Sequence, residues 1–281
     1  MESVHRPTEL LAMTRRPLDT ELMRRDLVST RSRARELIRA GQVLVGGAIA
    51  VKPTRMVAPG DPVVVSKSRR KFVSRGGEKL DAALNAFQIE ITGKRVIDVG
   101  ASTGGFSDCV LQRGAQEVVA IDVGYGQLDQ GIRNHPRVHV FERTNVRYIE
   151  AADVGGSGDL VVADLSFISL RTVLPSLVDL CGNRGDLLML VKPQFEADRV
   201  EAARGQGIIR SPDVWFQVLE KVSRCVSDSG FGIMAVMPSP LRGASGNTEF
   251  FMHSRAGTED AVQVAAAITK AITDAKGEAT S

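Results

Sequence analysis

Asp98-Val-Gly-Ala-Ser-Thr-Gly-Gly-Phe106 decides how this chain folds. The run from Arg95 to Val99 is apolar enough for a buried strand, and it enters a glycine-rich turn that opens a helix near Gly104. A second short strand, Glu117 to Ile121, ends on Asp122, twenty-two residues after Gly100. Strand, glycine turn, helix and a strand ending in an acid is the order by which a doubly wound sheet holds an adenosine-containing cofactor. The glycines let backbone N–H groups approach the ligand, and the acid receives ribose hydroxyls. A dinucleotide fingerprint, G-x-G-x-x-G, needs glycine at position 102, where the chain has Ser102, and no P-loop pattern is present. What remains fits S-adenosylmethionine (SAM), which has no pyrophosphate to cradle. A glycine-rich turn without a ligand is the plainer alternative, and the placement of Asp122 argues against it. The candidate cofactor residues are Asp98, Gly100, Ala101, Ser102, Thr103, Gly104, Gly105, Phe106, Asp122 and Val123.

Downstream, strands and helices alternate. Strands are expected at 95–99, 117–122, 137–141, 159–164, 186–192, 231–236 and 249–253, and helices at 104–113, 170–181, 212–228 and 259–274. Such alternation predicts an α/β domain with a doubly wound, mostly parallel sheet, the last two strands closing it as an antiparallel hairpin. Ligands of such a sheet bind at the carboxyl ends of its strands. Beyond the glycine turn, the polar residues there are Asn145, placed to meet an adenine ring, Asp164, Lys192 before Pro193, and Glu249. Lys79, on an entering helix at about Glu78 to Phe87, can reach the same edge. Two lysines and two carboxylates suit methyl transfer to a ribose hydroxyl, which is a poor nucleophile because it holds its proton tightly. A lysine stabilises the developing alkoxide or accepts the proton, and carboxylates hold the lysines in place. Each residue alone can be explained as a helix cap or a surface charge; only their joint placement at one sheet edge points to chemistry.

Upstream the character changes. Residues 1–79 carry 17 Lys/Arg against 8 Asp/Glu, although the whole chain has a net charge of only +3. A basic first third on a mildly acidic body is the footprint of a polyanion-binding module joined to something else. Residues 1–16 read as unstructured, and a small α+β domain is expected at 17–66. On its second helix, about Thr30 to Ala40, Arg31, Arg35 and Arg39 fall four apart as one stripe, while Ala34, Leu37 and Ile38 form the buried face. A stripe of this kind meets RNA phosphates, with shape supplying recognition. Residues 67–77 read as a basic linker in which Arg69, Arg70 and Lys71 are further RNA contacts. Residues 78–275 form the large domain, and 276–281 a frayed tail. Three distant cysteines give neither a disulfide framework nor a zinc site, so no metal is expected and a reducing cytoplasm is the simplest compartment. No run is long and apolar enough for a membrane span.

Two resemblances sharpen these expectations. Leu18-Asp19-x-x-Leu22 followed by Thr30-Arg31-x-x-Ala34-x-x-Leu37-Ile38-x-x-Gly41-x-Val43-x-Val45-x-Gly47 resembles the αL-type RNA-binding module. It departs in having Pro17 where arginine is usual and Thr30 where serine is usual. Ser74-Arg-Gly-Gly-Glu-Lys79-Leu, the 98–108 segment, Ala163-Asp164-Leu-Ser-Phe-Ile-Ser169, Leu190-Val-Lys192-Pro-Gln-Phe-Glu196 and Asn247-Thr-Glu249 resemble the TlyA-type ribosomal RNA 2′-O-methyltransferases. These are close to the FtsJ-like enzymes with their Lys-Asp-Lys-Glu tetrad. The resemblance implies a tetrad of Lys79, Asp164, Lys192 and Glu249, SAM as methyl donor, and cytidine 2′-hydroxyls of ribosomal RNA in the small or large subunit as acceptors. It also implies a mobile loop at Gly205–Arg210 near the RNA. That family has carried a haemolysin name, for which nothing here suggests a pore. A catalytically silent RNA- or ribosome-binding assembly factor on the same fold is the rival reading. Methylation of a base atom is another, weakened by the absence of a strand-end cysteine or an N/D-P-P-Y/F motif. No obligate protein partner is evident.

Overall fold

The computed structural model describes residues 15–66, 71–198, 201, 205–243 and 246–277. The expected contacts Arg69 and Arg70, the first fourteen residues and the last four lie outside the described residues. The chain divides into two compact units, 1–71 and 72–281.

In the first unit β1 (Arg16–Pro17) leads directly into α1 (Leu18–Arg24), and α2 (Arg31–Arg39) follows. Thr30 starts α2, its side chain accepting the Arg33 N–H at 3.1 Å. Then come β2 (Val43–Val45), β3 (Ala48–Ile49), β4 (Met56–Val57) and β5 (Val63–Val65). Strands β3, β2 and β5 form one antiparallel sheet, and β1 pairs with β4 in a second. The β1–β4 pair is a correction to the sequence reading, which left residue 16 unstructured. Two-residue strands have no periodicity to detect, and this pairing spans forty residues of chain. Leu18, Leu22, Ala34, Leu37, Ile38, Val43, Val45, Ala50 and Val57 make the core. At about 1.5–3 kcal/mol per buried large aliphatic side chain, so small a core leaves little margin.

The second unit opens with α3 (Arg75–Ala86), three residues earlier than expected, so the linker is shorter than the composition suggested. Phe72 is already buried ahead of it. Next come β6 (Arg95–Val99), α4 (Gly105–Gln112), β7 (Glu117–Ile121), α5 (Gln130–Arg133) and β8 (Val138–Phe141). They are followed by β9 (Leu160–Ala163), α6 (Leu170–Cys181), β10 (Asp186–Val191) and α7 (Pro193–Glu196). The unit ends with α8 (Pro212–Asp228), β11 (Phe231–Pro238), β12 (Phe250–Ala256) and α9 (Val264–Gly277). Helix α9 begins five residues later than expected and runs through the start of the expected tail.

The seven strands lie in the order β11-β12-β10-β9-β6-β7-β8. All neighbours from β10 to β8 are parallel, and β12 is antiparallel to both β10 and β11. Both faces are covered, which explains the continuous hydrophobic strands. Leu187, Met189 and Val191 enter one core while Leu188 and Leu190 enter the other, as the two-residue period of a strand requires. From β6 the chain winds outward through β7 and β8, then returns to the other side of β6 as β9. That reversal opens a crevice beyond the carboxyl ends of β6 and β9.

Candidate active site

A cleft of about 440 Å³ occupies the crevice, within the size range of small-molecule sites. Val99, Gly100 and Ser102 line it from the β6 turn, Asp122 and Val123 from the end of β7, Asn145 from beyond β8, and Asp164 from beyond β9. The expected residues Gly100, Ser102, Asp122, Val123, Asn145 and Asp164 are thus brought together. The remaining turn residues serve this wall from behind. Gly104 caps α4 with φ +91°, and a Cβ there would lie 2.9 Å from Leu128 Cδ1. A Cβ on Gly105 would lie 2.1 Å from Ser74 Oγ, so this glycine lets α3 approach α4. Thr103 is exposed, and Ala101 is buried. Phe106 points into the core and stacks on Phe251 at 6.2 Å, so its ring shapes the turn without lining the cleft.

Gly100 is required on two counts. Its φ is +88°, and a Cβ would sit 2.5 Å from the backbone oxygen of Asp164. The absent side chain is what lets the β6 turn and the β9 end close on each other. Ser102 also has a left-handed φ, +48°, and is held there by its N–H donating to Asp122 Oδ2 at 2.7 Å. Asp122 Oδ1 accepts the Gly124 N–H at 2.6 Å. Each carboxylate oxygen keeps a further lone pair for a ribose hydroxyl. Asp98 is fully buried, with Oδ2 accepting from Ser107 Oγ at 2.6 Å and Oδ1 lacking any partner. Burial pushes its carboxyl up to about 7, and the charges of Asp164 and Asp122 add to this against the Ser107 hydrogen bonds. Asp98 was expected among the cofactor contacts, but it is fully buried and does not line the cleft, so it supports the turn from behind; Asp122 and Asp164, the two acids that do line it, suit a positively charged ligand bearing an adenosine. The residues present therefore fit SAM.

The four expected catalytic residues form two ion pairs. Lys79 Nζ lies 2.6 Å from Glu249 Oε2, both side chains being largely buried. Lys192 Nζ lies 2.6 Å from Asp164 Oδ1 and donates to Ser166 Oγ at 3.0 Å. Strand register relates the pairs: Val191 is opposite Phe250, so one step further along each strand sets Lys192 across from Glu249. The Gly243 backbone packs on Glu249, since a Cβ there would lie 2.3 Å from Oε1. Pro193 opens α7, so the strand stops at Val191 and leaves Lys192 at the helix N-cap position, at the carboxyl end of β10.

Sequence reasoning missed two neighbours. Ser166 lines the cleft and holds Lys192. Phe167 lines the cleft with its ring 92% exposed, and its backbone is in the left-handed region at φ +64°. An exposed aromatic residue in a strained conformation is held there by its surroundings, here partly by Phe195, 5.2 Å between ring centres. The signal available was an aromatic residue three positions after a strand-end acid. In the segment Gly205–Arg210, Asn247 accepts the Ile209 N–H at 2.9 Å and donates to Gly207 O at 2.8 Å, and Trp215 donates to Ile209 O at 3.0 Å.

In the first unit the arginine stripe is not uniform. Arg31 and Arg35 both bond Asp19, which is buried, at 3.0 and 2.8 Å. Burial pushes the Asp19 carboxyl up, but the two guanidiniums outweigh it and hold it below the usual range. Glu21, equally buried, is held down to about 2 by Arg24 against the effect of burial, with help from Arg25. Arg39 is exposed at the end of the same helix, as is Lys71 further along the chain.

Residues 72–256 match the FtsJ-like methyltransferase family, and residues 16–63 match the S4 domain. A 16S/23S rRNA (cytidine-2′-O)-methyltransferase, TlyA of Mycobacterium tuberculosis, is 48% identical over 246 residues, covering 87% of this chain and 91% of that protein. Hemolysin A of Brachyspira hyodysenteriae is 36% identical, over 84% of this chain and 98% of that one. Among solved structures, a hemolysin-named protein of Streptococcus thermophilus superposes with a TM-score of 0.74 at 35% identity, covering 96% of this chain and all of that one. Among the described residues, no helix is long and apolar enough to cross a membrane.

Proposed function

The chain belongs to the FtsJ-like methyltransferase family, with an S4 domain ahead of the catalytic one, and from that premise we propose how it works. It is a SAM-dependent enzyme that methylates the 2′-hydroxyl of cytidine in ribosomal RNA, as its TlyA relatives are named for doing. In our reading it acts in the cytoplasm on RNA assembled in ribosomal subunits.

The observation that carries the residue assignment is the pair of lysine–carboxylate contacts at one sheet edge beside the cleft. Asp122 and Asn145 hold the adenosine part of the cofactor, and the turn at Gly100 gives it backbone access. When bound, SAM supplies an electrophilic methyl on a positively charged sulfur; the 2′-oxygen forms the new O–C bond as the C–S bond breaks, its electron pair going to sulfur. Lys192 receives the hydroxyl proton or stabilises the alkoxide as it forms. Asp164 holds that lysine, and the buried Lys79–Glu249 pair fixes the neighbouring edge and its charge. Phe167 offers an exposed ring for a base turned out of its stack. The S4 domain grips the RNA through Arg39 and the Asp19-held arginines, with Lys71 of the following linker adding to the basic contact.

Lys192→Ala tests this. The variant is expected to keep its affinity for S-adenosylhomocysteine and for RNA while methyl transfer falls by at least about a hundredfold, the scale of a lost general acid–base group. Wild-type turnover in that variant refutes the assignment, and RNA binding without methyl transfer by the wild-type protein points to the silent assembly factor.

A further inference from the structure

Lys192 carries the proton chemistry in the reading above, yet an ammonium or amine on a four-carbon stem rotates freely about its last bond. The structure restrains it from two sides. Its Nζ meets Asp164 Oδ1 at 2.6 Å and Ser166 Oγ at 3.0 Å, and both partners line the cofactor cleft. The Phe195 ring lies a further 6.0 Å from the same nitrogen. The two restraints differ in kind. The Asp164 contact is an ion pair without hydrogen-bond geometry, Oδ1 having no hydrogen-bond partner, whereas Ser166 Oγ accepts a directed hydrogen bond from Nζ.

We propose that Ser166 is a positioning residue: its hydrogen bond, beside the charge contact with Asp164, turns Lys192 Nζ toward the ribose 2′-oxygen. This rests on the assignment of Lys192 made above. In the amine form the aimed direction is a lone pair, which accepts the 2′-hydroxyl proton as the O–C bond forms and the C–S electron pair returns to sulfur. In the ammonium form it is an N–H directed at the developing alkoxide. Either role needs the same orientation, so the inference does not depend on which operates. The serine is placed for this by the chain itself. It follows Asp164 by two residues in the loop that leaves β9, and the next residue, Phe167, is locked at φ +64°. The ion contact with Asp164 draws the nitrogen in without fixing its rotation; the hydrogen bond to Ser166 supplies the direction.

The test compares wild type, Ser166→Ala, Ser166→Thr and Lys192→Ala. Steady-state kinetics with SAM and ribosomal RNA are joined to calorimetry with S-adenosylhomocysteine. For Ser166→Ala, kcat is expected to fall about tenfold, the scale of one hydrogen bond to a charged group. Both KM values and the calorimetric affinity stay within about twofold, the split expected of a residue that orients the reacting group without binding substrate. Ser166→Thr, which keeps a hydroxyl, restores kcat. The proposal is overturned if Ser166→Ala keeps the wild-type kcat while Lys192→Ala is inactive. It is equally overturned if Ser166→Ala loses cofactor affinity or Ser166→Thr fails to restore kcat, which marks a purely structural serine. An active Lys192→Ala removes the underlying assignment as well, and so separates the two failures.

Discussion

Replacing Gly100 with alanine perturbs the point where two strands close on the cleft. Two costs add. The first is conformational: at φ +88° an L-residue loses about 1–2 kcal/mol. The second is steric. The new Cβ lies 2.5 Å from the Asp164 oxygen and 3.1 Å from both its carbonyl carbon and Leu165 Cδ2. Backbone atoms cannot swing aside, so overpacking of about 1–3 kcal/mol is expected. The sum, about 2–5 kcal/mol, lowers the melting temperature of a unit this size by about 4–20 °C. Gly93 provides the control. Its φ is +77°, but a Cβ there meets nothing within 4 Å, so Gly93→Ala incurs the first cost alone. Calorimetric melting of both variants separates the steric part. Because the displaced group belongs to Asp164, Gly100→Ala is also expected to lose turnover and affinity for S-adenosylhomocysteine, both of which Gly93→Ala keeps. If the two variants melt together and bind alike, the close approach of the β6 turn to the β9 end does not hold.

Phe167→Ala is expected to leave melting and S-adenosylhomocysteine affinity unchanged while weakening productive RNA engagement by about 1–3 kcal/mol, seen in kcat/KM for RNA; an unchanged kcat/KM removes the stacking role. Arg39→Ala should lower RNA affinity and reduce the salt slope by about one without altering stability, as read by fluorescence anisotropy at several salt concentrations. Arg31→Ala with Arg35→Ala should also destabilise the first unit, since it strands the buried Asp19 carboxylate; melting at the wild-type temperature contradicts this. Asp98 has its folded pKa raised from 3.8 to about 7, so across that window the native state holds a proton that the unfolded chain has lost. Its stabilising effect is full below about pH 4 and is lost as pH rises through about 7. Asp98→Asn should flatten that decline, making the variant relatively more stable at pH 8, and a pH–stability curve parallel to wild type refutes the assignment.

The large domain was legible because its signals are strong and local. Five-residue apolar strands, a glycine turn and strand-end acids obey rules of spacing that burial enforces, and Lys79, Asp164, Lys192 and Glu249 meet as two ion pairs as that spacing implied. What escaped depends on contacts far apart in the sequence. The two-residue strands β1 and β4 exist only as each other's partner. Phe106 looked like part of the cofactor turn, yet helix phase turns its ring into the core beside Phe251. Spacing of four made Arg31, Arg35 and Arg39 one stripe, but the buried carboxylate of Asp19, twelve residues before Arg31, engages the first two. Ser166 carried no pattern and Phe167 only its place three residues after a strand-end acid, because their roles come from a loop conformation and from the lysine that β10 delivers beside it.

The most direct measurement is transfer of labelled methyl from SAM to isolated 30S and 50S ribosomal subunits, with the modified positions mapped by 2′-O-sensitive primer extension. The account predicts label on the ribose 2′-oxygen of a cytidine with the wild-type protein, and none with Lys192→Ala at equal S-adenosylhomocysteine binding. Label on a base atom, or equal labelling by the two proteins, contradicts it.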